Sequence, residues 1–177
     1  MDAIEKALSA LTAKDILKAS TVITKSSQLA VKSALALMLI LSKVDKSLQL
    51  NETKTMLAKA TWMDAKKYLQ NALEVYEHMK GLKVVIANGG HIGRKICSKA
   101  EELVQNSEEE VVPREIRSIQ EYVKASIKFV ESVQSLKTAS NKKQREFEET
   151  PSKFVSQTPK PFSTLTPNKL QTPTFDG

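Results

Sequence analysis

Few residues in this chain could do chemistry, and they are poorly spaced for it. His78 and His91 are its two histidines and Cys97 its one cysteine. The histidines lack the short spacing that sets two imidazoles on one helical face for a metal. A single cysteine excludes an internal disulfide and a cysteine-based zinc cage. Arg94, Lys95 and Lys99 lie near Cys97 and would favour its thiolate. No histidine or acid is spaced to activate it, so a helix-packing thiol is expected. Glu74 and His78 read as a surface pair at i, i+4. The carboxylates fall on polar faces or in runs such as Glu108-Glu109-Glu110, so no acid–base pair can be nominated. These residues point away from an enzyme, a metal, a cofactor and a small-molecule substrate.

Two other patterns suggest anion binding. Gly89-Gly90-His91-Ile92-Gly93-Arg94 follows an apolar run and opens a helix, a place where backbone N–H groups can hold a phosphate. Its glycine spacing matches neither the dinucleotide nor the Walker pattern. Asn88-Gly89-Gly90 reads better as a hinge between two helices. Lys18, Lys25, Lys32 and Lys46 share one heptad position and could form an anion-facing stripe toward nucleic acid or lipid headgroups. No arginine or aromatic interleaves them, which favours a plain solvated face. The net charge of +7 is spread along the chain. That support for a nucleic-acid partner is weak, because such binders concentrate charge on one surface.

The elements that would position these residues are helical. The most apolar stretch is Ser33-Ala34-Leu35-Ala36-Leu37-Met38-Leu39-Ile40-Leu41, uncharged between Lys32 and Lys43. A helix that is apolar all round has to be covered on most sides, so the other segments should pack around this one. Ile4, Leu8 and Leu11 mark a short first helix. Thr12-Ala13-Lys14-Asp15 has the form of a capping box and starts a helix predicted over about 13–49. There Ile16, Ile23, Ala30, Leu37 and Val44 recur every seven residues, with Ser20, Ser27, Ala34, Leu41 and Leu48 beside them. Asn51 should cap the next helix, 52–80, with Ala58, Trp62, Ala65, Leu69, Leu73 and Tyr76 inward and Gly81 as its terminating glycine. Residues 82–90 read as irregular or a short helix. A helix resumes near Ile92 and reaches about Asn106. Pro113 opens the last one, 113–148, carrying Ile116, Ile119, Tyr122, Val123, Phe129, Val130, Val133 and Leu136. The fold class is all-α: four main helices in a bundle (residues 1–149), a short N-terminal helix, and an extended Thr-Pro-rich C-terminal tail (150–177).

The tail repeats with a period of eight: Thr150-Pro151-Ser152-Lys153-Phe154, Thr158-Pro159-Lys160-Pro161-Phe162, Thr166-Pro167-Asn168-Lys169-Leu170, and a shortened Thr172-Pro173-Thr174-Phe175. Proline at this density excludes helix and holds preceding residues extended. Each unit offers a stiff step and one apolar anchor, Phe154, Phe162, Leu170 or Phe175. Linked units raise effective concentration on a repeated partner. Thr150, Thr158, Thr166 and Thr172 also precede proline and suit proline-directed phosphorylation, each phosphate adding about −1.5 to −2 charges.

The leading expectation is a non-enzymatic helical binding or scaffold protein whose tail docks onto a partner protein or neighbouring copies. A second is a structural subunit of a larger assembly, such as a viral coat or filament, laced by its tails. A third is a membrane-surface or lipid-binding helical protein using the 33–41 run, which is too short to span a bilayer. The N-terminus lacks the basic-then-apolar form of a secretory signal, which fits an intracellular, cytoplasmic or nuclear setting.

Overall fold

Every regular element among the described residues is an α-helix. The computed structural model describes residues 2–48, 60–105 and 111–148, with side chains given up to Asn141. Among the described residues seven helices follow one another: α1 (Ala3–Ser9), α2 (Ala13–Val22), α3 (Gln28–Leu41), α4 (Trp62–Gln70), α5 (Ala72–Ala87), α6 (Arg94–Gln105) and α7 (Arg114–Glu148). Among the described residues there is no strand. The architecture is the helical bundle expected, with finer divisions than the sequence suggested.

α3 is its centre. Leu29, Ala30, Ser33, Ala34 and everything from Ala36 to Leu41 are buried. Its main neighbours are α6 and α7, with α4 beside them. α2 packs on α4 and α5, and α1 lies chiefly on α7. The apolar run is thus inside the bundle, where burying a Leu or Ile side chain is worth about 1.5–3 kcal/mol. Ile16, Ile23, Leu37, Ile40, Leu41, Leu69, Met79, Leu82, Ile116 and Tyr122 are among the largest fully buried side chains of this core.

The predicted helix over 13–49 is two helices. Ile23 turns extended (φ −71°, ψ 115°). The Ser27 hydroxyl accepts from the Thr24 amide at 2.7 Å and bonds the Thr24 carbonyl at 2.9 Å. Serine and threonine side chains compete in this way with the helical ladder, and Thr24, Ser26 and Ser27 fall together. Apolar spacing continues through these residues, because a side-chain bond of this kind leaves no mark on a seven-residue repeat. The capping box at the start of α2 is present, with the Thr12 amide donating to Asp15 Oδ2 at 3.0 Å.

Gly81 does not end a helix. α5 passes through it and continues to Ala87, so 82–87 is helical too. An internal glycine costs about 1 kcal/mol, which burial of Leu82 and Ile86 outweighs. The terminator lies eight residues later. Gly89 has φ +99°, its amide donates to the Ile86 carbonyl at 3.2 Å, and the Gly90 amide donates to the Val85 carbonyl at 2.8 Å. This pair of bonds is a Schellman motif. A Cβ on Gly90 would lie 2.5 Å from the Val85 carbonyl oxygen, so the chain needs glycine there as well.

The proposed Asn51 cap and residues 52–59 lie outside the described residues. The visible start of α4 is a second capping box, with the Thr61 amide donating to Asp64 Oδ2 at 2.7 Å. Thr61-Trp62-Met63-Asp64 has the same form as Thr12-Ala13-Lys14-Asp15 and was readable. Trp62 is half-buried against the core. Leu73, expected inward, is 76% exposed, because the break at Asn71 re-phases α5 to bury Ala72, Val75 and Met79 instead. Leu136 is likewise outward, at 71% exposure.

Candidate functional site

The four lysines that share a heptad position lie on different elements. Lys18 is on α2, Lys25 in the link to α3, Lys32 on α3, and Lys46 beyond its end. The break at 23–27 removes the single helical row that would have made them a stripe. Gly89 and Gly90 direct their N–H groups to carbonyls of α5, so neither is open to an anion. Gly93 accepts from Ile96 and Cys97 as α6 begins. The segment is a hinge, pinned by the Gln134 amide, which donates to the Ile92 carbonyl at 3.1 Å.

Cys97 is buried. Burial first, then the carboxylates of Glu131 and Glu101, push its thiol pKa up. The lowering expected from Arg94, Lys95 and Lys99 is overturned. Burial is the largest cause and opposes the charged form, and it outweighs neighbours that stand exposed to water. Among the described residues, no three His, Cys, Asp or Glu side chains converge to hold a metal.

His78 turns to a partner the sequence did not suggest. Its Nδ1 lies 3.3 Å from Asp45 Oδ2, where Glu74 was expected. Asp45 is only 5% exposed, and its Oδ1 accepts from the Ser47 amide at 2.8 Å and the Ser47 hydroxyl at 2.6 Å. Burial pushes the Asp45 pKa up, but the two Ser47 bonds, His78 and Tyr68 outweigh it and hold the carboxyl below its usual range. Tyr68 is half-buried beside it, and burial and then the Asp45 charge push the phenol well up. The cluster ties the turn after α3 to α4 and α5. Asp45-Lys46-Ser47 shows in the sequence as a turn, but its burial depends on helices that come later in the chain.

Two further buried polar bonds cross the bundle. Gln120 Nε2 donates to Ser33 Oγ at 2.8 Å, joining α7 to α3. The Tyr122 hydroxyl donates to the Met79 carbonyl at 2.8 Å, joining α7 to α5. On the surface, Lys83 of α5 reaches both Asp2, at 2.7 Å, and Glu5, clamping α1. It holds both carboxyls below their ordinary values.

A cleft of about 810 Å³ lies between the start of α6 and the second half of α7. Its floor is Cys97 and Val130, 6% and 2% exposed. Glu101 and Glu131 stand on its rim and Gln134 on its α7 wall, with Arg94 at one end. From Ser135 to Asn141 every α7 side chain is exposed, so the helix leaves the core at this cleft and runs on to Glu148.

The tail anchors Phe154, Phe162, Leu170 and Phe175 lie outside the described residues, as do Thr150, Thr158, Thr166 and Thr172. No helix among the described residues is long and apolar enough to cross a membrane. The run that a lipid-binding role would use is packed inside. Comparison with family models, curated proteins and solved structures finds no match to this chain.

Proposed function

We propose that this is a non-enzymatic binding or scaffold protein: a helical bundle that carries a row of Thr-Pro docking units. The observation that carries this reading is the projection of α7. Gln134, still bonded to the Ile92 carbonyl, lies 14 residues before Glu148, which at 1.5 Å per residue sets the root of the repeats about 21 Å further along the helix. A chain with no use for its tail has no need of so long a stalk. The repeats supply the multivalency, with Phe154, Phe162, Leu170 and Phe175 as anchors and a lysine near each of the first three.

The test is proximity crosslinking in native extract. It compares the full chain with a variant in which all four anchors are alanine. Proteins captured by the first and lost from the second support docking through the repeats, and identical sets refute it. A second reading, an assembly subunit laced by its tails, draws on Leu73 and Val84, which stand 76% and 58% exposed on α5. Light scattering over a concentration series separates the two, since only the second requires the pure protein to gain mass.

A further inference from the structure

The cleft between α6 and α7 lies beside the helix that leads into the tail, and its chemistry suits the tail. Its floor is apolar, and it is lined by two exposed carboxylates, Glu101 and Glu131, against one exposed cation, Arg94 at its end. Residues 150–177 hold Lys153, Lys160 and Lys169 against the single acid Asp176. We infer that this cleft is the receptor for the chain's own second repeat, with the Phe162 ring on Cys97 and Val130 and the Lys160 ammonium between Glu101 and Glu131. The inference rests on the tail being a docking element, as proposed above.

Reach selects the repeat. Gln134, in the cleft wall, is 14 residues before Glu148, about 21 Å back along α7. Phe162 is 14 residues beyond Glu148, which gives about 43 Å of extended chain at about 3.1 Å per residue. That covers the return and the reversal. Phe154 is six residues beyond, and its roughly 19 Å of chain leaves nothing for the turn. Leu170 and Phe175 reach the cleft on longer tethers, for which effective concentration falls.

Short tethering also selects the chain's own tail over a neighbour's. A flexible link of this length gives an effective concentration of order millimolar, above the free concentration of a second copy in dilute solution. The docked unit holds one repeat back until a partner competes for it, while the other repeats stay available.

The test uses the full chain with Ser163→Cys and the buried Cys97 left in place, a nitroxide on the new thiol with single labelling checked by mass, and ¹⁵N amide spectra. Docking predicts loss of the Ser98, Glu101, Glu131 and Ser135 amide signals, restored when the nitroxide is reduced. Charge reversal by Glu101→Lys with Glu131→Lys, both exposed positions, should abolish the loss while the remaining spectrum stays unchanged. A ¹⁵N chain without nitroxide, mixed with an unlabelled chain carrying it, should lose nothing. Loss in that mixture makes the occupant a second copy and overturns the inference. So does loss that survives charge reversal, which marks an undirected tail, or no loss in the cleft at all. None of these outcomes decides whether the anchors capture partners, so the two readings fail separately.

Discussion

The Gln120–Ser33 bond lies in the middle of the α3–α7 contact, and its removal should cost more from one side than from the other. Ser33 is fully buried and Gln120 is 5% exposed. The Ser33 hydroxyl accepts from Gln120 Nε2 at 2.8 Å and donates to the Leu29 carbonyl at 2.8 Å. Ser33→Ala strands the Gln120 amide donor in the core, a loss of about 1–3 kcal/mol. Gln120→Leu removes the donor, fills nearly the same volume and leaves Ser33 bonded to Leu29, so about 0.5–1.5 kcal/mol goes. Ser33→Ala with Gln120→Leu removes both polar groups and should be more stable than Ser33→Ala alone. A coupling of about 1 kcal/mol is readable against a total stability of about 5–15 kcal/mol. Urea unfolding followed by far-UV circular dichroism measures all four chains, with unchanged slope as the control. Both groups are neutral, so the coupling should not vary with pH. Singles that add to the double within about 0.3 kcal/mol would refute the reasoning, because the stranded amide would then have found another partner.

Other perturbations follow from particular residues. Gly89→Ala forces a Cβ into φ +99° and should cost about 1–2 kcal/mol. Gly90→Ala should cost at least as much through its 2.5 Å clash with the Val85 carbonyl, both measured by thermal melting. Leu37→Ala, at a fully buried site, should cost about 2–5 kcal/mol in urea unfolding. Leu73→Gln, at 76% exposure, should change stability by less than about 0.5 kcal/mol. Asp45 has a folded pKa below its ordinary value of 3.8. Its stabilisation is therefore complete above that value and is lost as pH falls through the lowered folded one. Asp45→Asn should be less stable than the parent at neutral pH, with the gap closing in acid, as stability curves of the two chains would show.

The all-helical class was legible because apolar residues at steps of three and four need no knowledge of partners. The same holds for the central place of 33–41, since a segment apolar on every side has only the interior to go to. Local chemistry was legible where it was complete within four residues, as at Thr12–Asp15, and Thr61–Asp64 was equally open to reading. Periodicity failed where a competing local bond interrupts it, at Thr24–Ser27, because a heptad count treats a serine in the seam as a small residue and not as a rival acceptor. It failed again at Gly81, whose propensity for ending a helix is smaller than the burial gained downstream.

Chain order and spacing decided the elements, and three-dimensional packing decided the partners. The choice of Asp45 over Glu74 for His78, the rise of the Cys97 thiol's pKa, and the outward turn of Leu73 all depend on side chains distant in the chain. Each is a contest between burial and charge that neighbours along the backbone do not settle. Glu131 is far from Cys97 in sequence and beside it in the folded chain, and only the crossing of α6 and α7 makes it count.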